Sequence, residues 1–267
     1  MTPRVVLTRP LERQATLSQS LLNAGYEVLS LPALSIQPSV TVKWPSPHNF
    51  DWVVFVSRAA WQYFWDALEA QQPGYVWPSK CRIAAVGSVT ADNIRQSLAG
   101  RTERAVSVMS PPLTLPQDSE SLWQCLSPEL KHASKVLIVR GQSGREWLSE
   151  KFRSRDCLVD MHAAYRRSPV SWTAPSIATL QQWGKEGRLG VWLVTSQQGL
   201  SAIQAQWSAH QLDPWRPEGA VVIHPRLKAP VQAWLGKGPV LVTQANDKAI
   251  IEAIADGFTS GPFRSFS

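Results

Sequence analysis

Hydroxyl and guanidinium side chains recur in this sequence where short apolar runs give way to amphipathic segments. The junctions carry Thr8 and Arg9, Ser57 and Arg58, Thr90 in the turn 87–90, Arg140 and Arg145, Thr195 and Ser196, and Arg226 with the amine of Lys228, while the stretch 244–247 brings amides and an acid instead. Arginine stays protonated and presents a planar fork of donors, whereas an unassisted serine is a weak nucleophile. Such a set binds carboxylates far better than it performs acid–base chemistry. A Ser or Thr at such a junction also caps its helix, for about 0.5–2 kcal/mol, and capping alone would account for any one of them.

The stretch KVLIVRGQSGREWL, residues 135–148, poses the sharpest question, because its turn holds Gly141 and Gly144 between Arg140 and Arg145. It has neither the G-x-x-x-x-G-K-[ST] nor the G-x-G-x-x-G spacing that wraps a nucleotide pyrophosphate. Glycines still let the backbone approach an anion, and residues 135–167 hold eight Lys or Arg against four Asp or Glu. The turn therefore suits a carboxylate.

Tyr165 is one of only four tyrosines and ends an apolar run just before Arg166, Arg167 and Pro169. A phenol beside cations is able to give a proton to a leaving group. A packed strand-end aromatic with its hydroxyl in water would leave the same trace. His48, His132, His162, His210 and His224 fall at no metal-binding spacing, and Cys81, Cys125 and Cys157 are too widely separated for a local zinc site. The three cysteines read as buried, reduced thiols.

Ten runs rich in β-branched and aliphatic residues supply the elements that must position these groups: 4–8, 26–31, 51–57, 81–86, 104–109, 135–140, 158–165, 190–196, 220–224 and 239–243. Their continuous apolarity suits strands buried on both faces. Between them, Trp61, Phe64, Trp65 and Leu68 share one helical face, as do Leu200, Ile203 and Trp207, and Val231, Trp234 and Leu235. Strand and helix alternation implies α/β architecture with parallel sheets. VVFVSRAAWQYF (53–64) and VWLVTSQQGLSA (191–202) form a weak repeat, each with a serine at the strand-to-helix junction, which supports two sheets. The proline-rich loop 42–50 and the segment 166–172 are candidate crossings between domains, and the tail after Asp256 reads as loose.

At 267 residues, with 44% hydrophobic and 18% charged residues, the chain has the composition of two ordinary globular domains. No apolar run is long enough to span a bilayer and the first residues lack a signal-peptide core, so the cytoplasm is the expected location and no membrane partner is expected. The formal charge of +7 calls for an anionic partner. Nucleic acid is disfavoured, because most of the thirteen tryptophans fall at core-facing positions and no basic recognition helix is present. A two-domain protein that closes on a small anion without catalysis shares the same charge and the same turns.

In the order VVLTRP, GYEVLSLPALSIQP, DWVVFVSRAAWQYF, RIAAVGSVTADNI, KVLIVRGQSGREWL, HAAYRR, VWLVTSQQGLSAI, VVIHPRLKAPV and QANDKAIIEAI, the chain resembles the uroporphyrinogen-III synthase family from about residue 3 to about residue 255. The resemblance implies two flavodoxin-like domains, each with a five-stranded parallel sheet flanked by helices and joined by a two-stranded hinge. Residues 1–36 with 168–267 would form one domain and residues 37–167 the other. It also implies a cofactor-free, metal-free lyase reaction in tetrapyrrole (haem) biosynthesis. Hydroxymethylbilane loses its hydroxyl to give an azafulvene, the last pyrrole attacks through its substituted carbon, and a spiro intermediate recloses with ring D inverted. Tyr165 matches the tyrosine that assists departure of the hydroxyl. Arg9, Ser57, Arg58, Thr90, Arg140, Gly141, Arg145, Ser196, Arg226 and Lys228 become expected contacts of a polycarboxylate substrate. Gln197 and Gln198, and the turn IHPRLKAPV without a hydroxyl, depart from the family pattern. A monomer is implied, with transient hand-over of substrate from hydroxymethylbilane synthase.

Overall fold

The structure is a computed structural model and describes residues 2–40, 43–102 and 106–258. Its strands are β1 (Arg4–Leu7), β2 (Glu27–Ser30), β3 (Leu34–Pro38), β4 (Trp52–Phe55), β5 (Arg82–Ala85), β6 (Val108–Met109), β7 (Lys135–Gly141), β8 (Leu158–Pro169), β9 (Val191–Val194), β10 (Gly219–Val222) and β11 (Val240–Val242). Its α-helices are α1 (Ala15–Asn23), α2 (Arg58–Gln71), α3 (Ser88–Ser97), α4 (Ser119–Leu126), α5 (Trp147–Arg153), α6 (Ala174–Lys185), α7 (Gln197–Ala209), α8 (Lys228–Leu235) and α9 (Asp247–Phe258). The chain forms two compact units, Met1–Ser35 with Ser168–Ser267, and Ile36–Arg167.

The first unit holds a sheet in the order β11-β10-β9-β1-β2, with every neighbouring pair parallel. Alternate residues of its apolar strands feed two cores. Val6, Trp192, Val194, Ala220 and Val222 join one, and Val5, Leu7, Leu193 and Val221 join the other. Burial on both faces is what lets these strands be apolar at every position.

The other sheet, which lies in the second unit apart from the outer residues of β3 and β8, has the order β3-β8-β7-β4-β5-β6, in which the strands from β8 to β6 are parallel. Val53, Phe55, Ile83, Leu137 and Val139 face a core with α2, while Trp52, Val54, Ala84, Val136 and Ile138 face the other side. Trp61, Phe64, Trp65 and Leu68 of α2 are all buried there and Trp207 is buried in the first unit, while Trp234, also read as core-facing, is only partly buried against that core.

Four sequence expectations change. The second sheet has six strands, because LSIQP of β3 is extended and pairs with the far half of β8. Ser39 N–H donates to Ala164 O and Val170 N–H donates to Ala33 O, so numbering runs oppositely along the two segments and that edge is antiparallel. The run expected to stop at Tyr165 continues to Pro169, whose missing N–H falls at the strand's last residue, where it breaks no ladder interior. Of the expected strand 104–109, Val108 and Met109 are strand, while residues 103–105 lie outside the described residues, as do 259–267 of the tail. Cys81 and Cys157 are buried free thiols, Cys81 pushed up to about 12 by burial, whereas Cys125 is partly exposed.

Candidate functional site

In doubly wound sheets the crevice for ligands opens at the carboxyl ends of the strands where the chain reverses its winding direction. In the second unit that point lies between β4 and β7. Beyond β4, Ser57 takes an extended backbone and its Oγ accepts a hydrogen bond from Ala60 N–H at 3.2 Å, capping α2. β7 ends on Gly141, where the register against β8 shifts: Arg140 stands opposite Ala163 and Gly141 opposite Tyr165.

That shift seats Tyr165. A Cβ at position 141 would lie 2.9 Å from the Tyr165 ring and 3.1 Å from its hydroxyl, so only glycine leaves room. Tyr165 is 3% exposed. Its Oη lies 3.2 Å from Ser57 Oγ and accepts a hydrogen bond from Arg167 Nη2 at 3.3 Å. The Arg167 guanidinium also stands over the phenol ring, 5.6 Å from its centroid, and the Tyr63 ring lies 6.1 Å away. Tyr63 is held by its hydroxyl donating to Ile36 O at 2.9 Å.

The other expected residues of this unit fall into distinct settings. Arg140 does not project from the turn: it is 8% exposed, its Nε donates to Gly141 O at 3.2 Å, and its Nη2 fills the space where a Cβ on Gly144 would come within 2.9 Å. The two glycines therefore seat side chains of the protein itself, the phenol of Tyr165 and the guanidinium of Arg140. Arg145 is exposed but paired with Glu120 at 2.6 Å. Arg58, at the start of α2, is exposed and has no polar partner among the described residues. Thr90 is buried in the first turn of α3, whose Ser88 N–H donates to Gln117 Oε1 at 2.7 Å. Gln117 is anchored by donating to Pro112 O and Leu115 O, each at 3.0 Å. A neutral amide thus covers one of the N–H groups that a ligand anion would use.

In the first unit the winding reverses between β1 and β9. Ser196 repeats the geometry of Ser57, extended with its Oγ accepting from Gly199 N–H at 3.0 Å. Arg9 is neutralised by Asp247 at 2.7 Å. Arg226 and Lys228 are exposed on the turn into α8, where Arg226 N–H donates to His224 Nδ1 at 3.2 Å.

Arg167 was absent from the expected site. Its signal was the two-residue spacing from Tyr165, which on a strand places both side chains on one face; reading the strand as ending at 165 hid it. Gln117 gave no signal, since a glutamine in a proline-rich loop shows nothing of the helix it reaches.

A separate cavity of about 840 Å³ in this unit is lined by residues including Lys43, Trp44, Phe50, Lys135, Asp160 and His162. His162 is 8% exposed, its Nε2 has no hydrogen-bond partner, and burial holds its pKa below the ordinary value. No group of three or more His, Cys, Asp or Glu among the described residues is arranged to hold a metal ion.

Comparison with known proteins bears on this arrangement. The family model described as Uroporphyrinogen-III synthase HemD matches residues 15–250. A curated relative, the uroporphyrinogen-III synthase of Proteus mirabilis, is 26% identical over 180 residues, covering 65% of this chain and 85% of that protein. Among solved structures, uroporphyrinogen-III synthetase from Helicobacter pylori aligns over 96% of this chain and 99% of its own, with TM-score 0.61 and 13% identity. A mutant uroporphyrinogen III synthase from Thermus thermophilus aligns over 97% and 100%, with TM-score 0.54 and 14% identity. At these identities the structures speak for the fold.

Proposed function

Because this chain belongs to the uroporphyrinogen-III synthase family, we propose that it closes hydroxymethylbilane into uroporphyrinogen III, releasing water and inverting ring D through a spiro intermediate. The observation that carries the reading is the buried phenol of Tyr165, held between Ser57 and Arg167 where the second sheet reverses its winding.

Departure of the hydroxyl as water needs a proton, and Tyr165 is its source. The resulting azafulvene is electrophilic enough to be attacked without a cofactor, and the free bilane closes unaided to the type I isomer. The protein's task is then to hold the chain in the conformation that leads to inversion, which is a matter of orientation more than of chemical force. Acetate and propionate groups give the exposed cations a target: Arg58 in one unit, Arg226 and Lys228 in the other. The hydroxyls of Ser57, Thr90 and Ser196 stand at helix N-termini, whose N–H groups and dipoles favour anions. Arg9 and Arg145 reach a carboxylate by exchanging Asp247 and Glu120 for it. Arg140 supports the turn from within. The reading takes the chain as a cytoplasmic monomer that receives the bilane from hydroxymethylbilane synthase.

The test is to add purified protein to freshly generated hydroxymethylbilane, oxidise the products and separate the uroporphyrin isomers by chromatography. Predominant type III is the expected result. Type I alone, at the spontaneous rate, would refute the activity and leave a binding protein.

A further inference from the structure

We propose that Ser57, not Tyr165, delivers the proton to the departing hydroxyl, with Tyr165 behind it as the proton reservoir and Arg167 as the residue that positions the phenol. The inference rests on the activity proposed above and deepens its acid step.

Hydrogen-bond accounting directs the protons. Tyr165 is almost wholly buried, and among the described residues its hydroxyl has two polar partners, Ser57 and Arg167. Arginine has no acceptor, so Arg167 donates and the phenol oxygen accepts. A buried hydroxyl proton needs an acceptor, and Ser57 Oγ is the one within reach, so Tyr165 donates to Ser57. Ser57 Oγ thus accepts from Tyr165 and from Ala60 N–H, which uses both of its lone pairs. The proton left without an internal destination is that of Ser57 itself. Ser57 is partly exposed while Tyr165 is not, so the serine is the member of the pair that a ligand meets.

The step balances along this line. The Ser57 O–H proton moves to the substrate hydroxyl, the C–O bond breaks with its electron pair leaving on water, and the pyrrole nitrogen lone pair stabilises the resulting azafulvenium. The Tyr165 proton passes to Ser57 Oγ, and the negative charge left on the phenol oxygen rests against the Arg167 guanidinium. The proton lost by the pyrrole on ring closure returns through Ser57 to Tyr165. Gly141 enforces the geometry, because a side chain there would push the ring away from Ser57.

The experiment compares kcat and KM, with freshly generated hydroxymethylbilane, for the native protein, Ser57→Asn, Ser57→Thr, Tyr165→Phe and the Ser57→Asn/Tyr165→Phe double variant. Asn retains a capping acceptor but no hydroxyl, and Ser57→Gly, which also spares the helix, serves if the Asn variant melts below the assay temperature. Ser57→Asn and Tyr165→Phe should each lower kcat by about 10²-fold, the double variant should be no slower than the slower single variant, and Ser57→Thr, which keeps a hydroxyl and a capping oxygen, should be faster than Ser57→Asn. Arg167→Met should lower kcat with KM unchanged, and Arg167→Lys should recover most of the loss, which a purely structural role would not produce. Native-like kcat for Ser57→Asn, or losses that multiply in the double variant, would overturn the relay while leaving the synthase reading intact. A native protein that yields only the type I isomer would overturn both.

Discussion

Tyr165 depends on a residue that has no side chain. Gly141 is constrained by space and not by an unusual backbone angle, since its missing side chain is the volume the phenol occupies. Gly141→Ala should therefore move the ring off Ser57, lowering kcat at least about tenfold and destabilising the fold by about 1–3 kcal/mol, the usual range for overpacking. Steady-state assay and urea unfolding of the same preparation check the two halves. A native-like kcat would mean that the ring and the strand relax together without losing the contact. Gly144 makes a useful contrast, because the side chain it accommodates is the flexible Arg140 and its φ of 151° is itself unfavourable for other residues.

At the scale of elements, the strand-to-helix junctions carry two demands at once. Ser57 and Ser196 cap α2 and α7 with nearly the same backbone geometry, yet among the described residues Ser57 is the one of the two with a phenol hydroxyl beside it. Ser196→Ala should cost about 0.5–2 kcal/mol of stability, while Ser196→Gly should cost only a few tenths, as for a cap of ordinary kind. Thermal melts of the two variants test this; equal losses would point to a role for the side chain beyond capping. Strand β8 carries a second buried group. His162 packs against Trp44 and Phe64, with ring centroids 4.5 and 5.9 Å away, and burial lowers its pKa from 6.5. Its neutral form is thus the folded one. As pH falls through 6.5, the unfolded chain takes up a proton that the folded chain does not, and stability declines. Between about pH 7.5 and about pH 5.5 the native protein should lose more melting temperature than His162→Phe, which keeps the aromatic packing without the titration. Parallel losses would remove His162 from the acid response.

For the molecule as a whole, the charge of +7 sets the electrostatics of an encounter with a polycarboxylate. Several exposed cations lie on each unit, including Arg58 on one and Arg226 and Lys228 on the other. Raising salt from about 0.05 M to about 0.5 M shortens the screening length severalfold, so KM for the bilane should rise while kcat changes little. A salt-insensitive KM, measured in the isomer assay, would indicate that uncharged donors and shape carry recognition.

What the sequence by itself determined is the part written in local chemistry. Ten of the eleven strands among the described residues announced themselves as runs of β-branched and aliphatic residues, and helix faces such as Trp61, Phe64, Trp65 and Leu68 followed from their spacing, because burial on two faces or one imposes a pattern along the chain. Ser57 and Ser196 were legible as junction residues for the same reason. β3 was not, since LSIQP is too polar to be read as core and becomes a strand only because the far half of β8 offers it partners. Tertiary structure alone decided which side chain each glycine makes room for, that Arg9 and Arg145 meet acids of their own chain, that Gln117 covers the start of α3, and that Tyr165 lies between a serine 108 positions away and an arginine two positions on. Each is a contact between segments distant in sequence or a direction a side chain takes, and neither is encoded in composition or period; both emerge only on folding, as where the second sheet brings the ends of β4, β7 and β8 side by side.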